Sequence, residues 1–172
     1  MVLKQEDFTE QAREALGASQ QMVLQMRHSQ WDAEHLLLGL LQVENSLPAQ
    51  MLQAMEIDVS TILRSVTAIL EETPKVSGPS QAAQIFATPR VVAAIERART
   101  EADRLKDDFI GTDHLMVSLV ADDSGKLGAL FKEHGITQER IYQALQQVRG
   151  SARVSDPRAE RNTRLSLSTA LT

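Results

Sequence analysis

Apolar residues fall on helical steps through most of this chain. Ala12, Leu16, Ser19, Val23 and Met26 share one face of a predicted helix, separated by four, three, four and three residues, the spacing of an amphipathic helix. Val91, Ile95, Ala98, Ala102 and Leu105 repeat those steps. A second predicted helix carries Leu36, Leu37, Leu40 and Leu41, and its counterpart carries Leu115, Met116, Leu119 and Val120. Each runs into an acidic turn, Glu44-Asn45-Ser46 or Asp122-Asp123-Ser124-Gly125. A short third helix is expected over roughly 48–55 and again over roughly 126–134. Gly135 suits the left-handed residue that ends such a helix. Glu56 takes the equivalent place, so its turn is expected to be made differently. A fourth helix follows Asp58 or Thr137, both competent caps. It is expected to bury Ile62, Leu63, Val66 and Ile69 in one case and Ile141, Tyr142, Leu145 and Val148 in the other.

These paired elements are an internal repeat. A shift of 79 places residues 9–70 on residues 88–149 without a gap. Thr9/Thr88, Ala15/Ala94, His35/His114, Leu36/Leu115, Leu40/Leu119, Ile57/Ile136 and Ile62/Ile141 are then identical. Thr88 followed by Pro89 is a good helix start, because Thr caps and Pro tolerates the first turn. Thr9 inherits that reading. A unit of about 62 residues builds only a marginal core by itself. The predicted fold is therefore all-α: two pseudo-symmetric four-helix repeats packed as one domain over 1–150, with repeat one at about 7–72 and repeat two at about 87–150. Between them, residues 73–84 read as a loop from their Pro, Gly and Ser content. Residues 151–172 carry Pro157 and scattered Arg without periodicity and read as a linker or tail.

Composition narrows the function. Hydrophobic residues make up 42% of the 172, enough for a core, while only four Phe, one Trp and one Tyr are present. Aliphatic side chains must do the packing, which favours helix on helix. The absence of cysteine removes disulfides and thiolate metal sites and fits a reducing compartment. A net charge of −5 works against binding a phosphate backbone, so no nucleic-acid partner is expected. No apolar run reaches the roughly 20 residues that span a bilayer, and residues 1–7 do not read as a secretory signal. The expected setting is cytoplasmic, without a membrane partner.

Catalytic and cofactor signatures are missing from the sequence. Ser124-Gly125-Lys126-Leu127 resembles the end of a phosphate-binding Walker loop, but Val120 stands where the earlier Gly belongs and Leu127 where a Ser or Thr belongs. His28, His35, His114 and His134 lack the spacing of metal ligands. His35 and His114 are read as polar residues packed near helix starts. Neither enzyme activity nor a cofactor nor a metal is expected. Glu34 and Asp113 precede these two histidines at helix N-termini, where the helix dipole favours a carboxylate. Taken alone, both read as helix-start acids on the surface.

Phe8-Thr9-Glu10-Gln11-Ala12 with Ala33-Glu34-His35-Leu36-Leu37-Leu38-Gly39-Leu40-Leu41 resembles the first half of the Clp N-terminal double repeat of Clp/Hsp100 AAA+ unfoldases. Thr88-Pro89-Arg90 with Gly111-Thr112-Asp113-His114-Leu115 resembles its second half. In both halves 26 positions separate the Thr from the His. The segment 149–157 resembles the linker that opens the ATPase region of ClpB-type disaggregases. The resemblance implies a chaperone domain of the stress response, mounted on an AAA+ hexamer, that recruits unfolded or aggregated protein or an adaptor. An isolated domain of this kind is expected to be a monomer. A stand-alone Clp-repeat regulator and the adaptor-binding N-domain of a ClpC/ClpA-type unfoldase are alternatives. In ClpC-type members the repeated Thr and the acid before the His bind phosphoarginine. The resemblance thus implies substrate-binding residues Thr9 with Glu34, and Thr88 with Asp113, the Asp standing for the usual Glu.

Overall fold

The structure is a computed structural model that describes residues 3–43, 45–76, 85–150 and Pro157. The predicted tail, Pro157 excepted, and most of the predicted 73–84 loop lie outside them. A single 3-10 turn at Gln5–Asp7 leads into α1 (Glu10–Gln25), β1 (Gln30–Trp31), α2 (Ala33–Gln42), α3 (Leu47–Ala54) and α4 (Val59–Glu71). The second run is β2 (Phe86–Ala87), α5 (Pro89–Arg104), α6 (Thr112–Ala121), α7 (Gly125–Glu133) and α8 (Gln138–Arg149). The fold is all-α, with four helices in the same order in each repeat. Thr9, Ser46, Asp58, Thr88 and Thr137 each accept a backbone N–H at a helix start. Such a cap contributes about 1 kcal/mol.

α1 lies along α2 and α5 along α6, while α2 meets α6 where the repeats join. Leu36, Leu37, Leu40, Leu115, Met116 and Leu119 are fully buried, each worth about 1.5–3 kcal/mol of burial. α3 crosses over to pack on α8 of the other repeat. One continuous apolar cluster results. Among the described residues no helix is long and apolar enough to cross a membrane.

Three details depart from the sequence reading. Glu56 does not avoid the left-handed turn: its φ is 61°, close to the 67° of Gly135, despite a cost of about 1–2 kcal/mol for a residue with a side chain. Arg27 and Lys106, equivalent residues after α1 and α5, do the same. The buried stripe of the first helices is also rotated. α1 buries Ala15 and Met22, and α5 buries Ala94 and Glu101, leaving Leu16, Met26, Ile95 and Leu105 only partly covered. The small Ala positions let α2 and α6 come close. A Cβ on Gly39 would stand 2.5 Å from the Ala15 carbonyl oxygen, and the equivalent Ser118 donates its hydroxyl to the Ala94 carbonyl. In α4 and α8, Leu70 and Ala144 are buried while Leu63, Ile69, Tyr142 and Val148 sit at the edge. Finally, β1 and β2 pair in parallel, Gln30 with Phe86 and Trp31 with Ala87. A parallel bridge between Phe8 and Ile110 is its symmetry mate. Pairings this short leave no alternating apolar signature in the sequence.

Candidate functional site

The two parallel bridges decide which helix starts meet. The Trp31–Ala87 pairing brings the cap of α2, Asp32, beside the cap of α5, Thr88. The Thr88 hydroxyl donates to Asp32 Oδ1 at 2.8 Å while accepting the Val91 N–H. Arg90, in the first turn of α5, then lies over the start of α2. Its Nη1 is 3.4 Å from Glu34 Oε1 and 3.9 Å from Asp32 Oδ1, and its Nε is 3.3 Å from Asp122 Oδ2. The Glu34 side chain is only 7% exposed. A cleft of about 320 Å³ opens beside it, walled by Asp32, Glu34, Glu72, Arg90 and Lys126 with Leu70 and Pro74.

The symmetry-related start is closed. Thr9 donates its N–H to the Ile110 carbonyl at 2.9 Å, at the entry to α6, and its hydroxyl oxygen accepts the Ala12 N–H. Asp113 is fully buried, its Oδ2 2.9 Å from Arg149 Nη1. Arg149 also bonds Asp107 through Nη2. The Arg149 side chain is itself only 6% exposed.

The expected pairing of Thr9 with Glu34 and Thr88 with Asp113 is therefore exchanged. Thr88 bonds Asp32 at the start of α2, and Thr9 bonds Ile110 at the entry to α6, because the bridges run between repeats. Nor are Glu34 and Asp113 surface acids: each is buried against an arginine from a distant part of the chain. Asp32, Arg90 and Arg149 were not singled out from the sequence. Arg90 sits at Gln11 of the other repeat and Arg149 at Leu70, so the repeat comparison that found the acids passes over both.

The two equivalent histidines lie under these starts. Asp32 N–H donates to His35 Nδ1 at 3.1 Å, and His35 Nε2 is 2.9 Å from His28 Nδ1. Burial and the neighbouring His28 lower the His35 pKa to about 4, against the pull of Asp32. In repeat two, Gly111 N–H donates to His114 Nδ1 and His114 Nε2 faces Asp107 Oδ2, both at 2.7 Å. Burial alone would depress His114, but Asp113 and Asp107 outweigh it and raise its pKa.

On another face, Leu16 of α1 and its repeat equivalent Ile95 of α5 line an open groove of about 290 Å³, floored by Phe8 and Trp31 and edged by Leu3, Lys4 and Arg13. These are the apolar positions that the rotated stripe withdraws from the core. Val92 stands one turn before Ile95 and is 41% exposed.

A double repeat of four-helix units joined through their helix starts is the architecture of Clp/Hsp100 N-terminal domains. The sequence profile of the Clp repeat (R) N-terminal domain matches residues 7–134, and this chain belongs to that family. Within it the chain is ClpB-like by sequence. It is 35% identical to chaperone protein ClpB 1 of Parasynechococcus marenigrum over 156 residues, 90% of this chain and 18% of that protein. It is 28% identical to chaperone protein ClpB of Bacillus cereus over 154 residues, 89% of this chain and 18% of that protein. The chain thus spans about a fifth of the length of these relatives and corresponds to a non-catalytic domain of them. The fold matches the Hsp104 N-terminal domain of Candida albicans with a TM-score of 0.78 at 20% identity, covering 90% of this chain and 99% of that one. It also matches a ClpV N-domain in complex with a VipB peptide, TM-score 0.66 at 18% identity, over 86% and 89% of the two chains.

Proposed function

We propose that this chain is the client-recruiting N-domain of a ClpB-like ATP-driven disaggregase, holding unfolded or aggregated protein, or an adaptor, for the ATPase ring of the full protein. The groove between α1 and α5 carries this reading. Leu16 and Ile95 occupy helical core positions in sequence, yet both sit half-covered at an open groove, which supports an interaction site there. The cleft at Asp32 and Glu34 supplies a polar anchor, and its carboxylates suit a basic side chain of the client. The peptide complex of the similarly folded ClpV N-domain supports peptide docking as a use of this fold. A groove this small gives weak, transient capture, as a domain that must pass its client on requires. With no phosphate-cradling loop in the sequence, the chain by itself is expected to turn over no ATP.

Fluorescence anisotropy with a labelled, reduced and carboxymethylated lactalbumin tests the reading. Leu16→Ser combined with Ile95→Ser removes about 1–2 kcal/mol of apolar contact and should weaken binding roughly tenfold. The fold should survive, because neither side chain is in the fully buried core. If the folded double variant binds as tightly as the unaltered chain, the groove is not the capture surface.

A further inference from the structure

We infer that Arg90 is a built-in competitor for the Glu34 cleft: a basic side chain of a client enters by displacing it, while Arg149 keeps the equivalent position of repeat two filled. This rests on the proposed function and adds how its polar anchor is regulated.

The comparison between the two repeats supplies the ligand. At the start of α6 the chain seats its own guanidinium on Asp113 and Asp107, both fully buried. In repeat one the counterpart of Arg149 is Leu70, and the counterpart of Asp107 is the neutral His28. Glu34 therefore has no cation from its own repeat in that place. Arg90 reaches across from α5 instead, and it serves three carboxylates at 3.3–3.9 Å while remaining 29% exposed. A settled charge-assisted bond of this type is shorter, about 2.7–2.9 Å, as Arg149 shows toward Asp113.

Displacement leaves no charge stranded. The cleft wall holds three acids, Asp32, Glu34 and Glu72, against Arg90 and Lys126. An incoming guanidinium would take Glu34 and Asp32, its planar fork matching carboxylates, while Arg90 keeps Asp122, which lies outside that wall. The domain accordingly takes one basic group per chain, at repeat one.

The test uses the whole chain and a short capped peptide with a single Arg, alongside the same peptide with citrulline, which keeps the shape and loses the charge. NMR titration of the unaltered chain should show one binding site and a shift of the Arg90 Nη resonances, because Nη1 is the atom that leaves Glu34 while Nε stays on Asp122. Calorimetry should show Arg90→Gln binding roughly tenfold tighter, since a competing charge is gone, and Glu34→Gln losing binding. Citrulline should not bind. Two equivalents bound per chain, unmoved Arg90 Nη resonances, or Arg90→Gln binding equally or more weakly would each overturn the inference. The resonances decide the matter even if Arg90→Gln fails to fold. Lactalbumin capture that depends on Leu16 and Ile95 but ignores Glu34 and Arg90 would leave the proposed function standing and remove this one.

Discussion

Two histidines at equivalent positions meet opposite surroundings. His35 abuts a second imidazole, and its pKa is lowered to about 4. In the unfolded chain it titrates near 6.5. Between those values the unfolded state binds more protons than the folded one, so stability rises with pH through this window and falls on acidification. The full shift corresponds to on the order of 3 kcal/mol. Urea unfolding at pH 7 and pH 5 should show the loss, and His35→Gln should flatten the slope. Equal slopes in both proteins would show that His35 does not control acid stability. Arg149 raises the stakes at the other start. Arg149→Met removes the guanidinium that bonds buried Asp107 and Asp113, a change worth about 3–5 kcal/mol of destabilisation. A melting temperature within a degree or two of the unaltered chain would contradict that pairing. These residues were only half legible. The acids stood out as a repeated position, but their arginine partners lie at positions where the repeats differ.

At the scale of elements, helix length and order follow from the 3.6-residue spacing, whereas the rotation of each helix follows from its partner. α1 turns Ala15 toward α2 because Gly39 offers no side chain there, its absent Cβ leaving space beside the Ala15 carbonyl. Gly39→Ala must push α1 and α2 apart and is expected to cost about 1–3 kcal/mol, the range for overpacked sites. The urea midpoint reads this directly, and an unchanged midpoint would mean that the two helices are free to separate. Ser118 fills the equivalent point in repeat two with a hydrogen bond to Ala94, so the two repeats reach the same closeness by different means. The rotation also places Leu16 and Ile95 in the groove. The apolar spacing alone counts both as core, because a half-turned stripe has the same period as a buried one.

For the whole molecule, the links between repeats are numerous and specific. Thr88 bonds Asp32, Arg90 reaches Glu34, and Arg140 donates to the Met55 carbonyl at the end of α3. α3 packs on α8, and α2 on α6. Neither half completes its own core. Residues 1–76 and 85–172, expressed separately, should show little helix by circular dichroism and no cooperative melt, and mixing them should restore both. A half that melts cooperatively as a monomer would show that one repeat suffices.

The sequence by itself determined the helices, their order, their caps and the doubling of the unit, because periodicity and capping are local properties that survive without a partner. It also marked Thr9, Glu34, Thr88 and Asp113 as a repeated set. Only the tertiary structure decided what each of them meets. Two short parallel bridges exchange the helix starts between repeats, and Arg90 and Arg149 come from 56 and 36 residues away in the chain to their carboxylates. Contacts across such distances depend on how the helices dock. That docking is set by steric fit at points such as Gly39 and Ser118, where two different residues serve one geometry and no local pattern announces it.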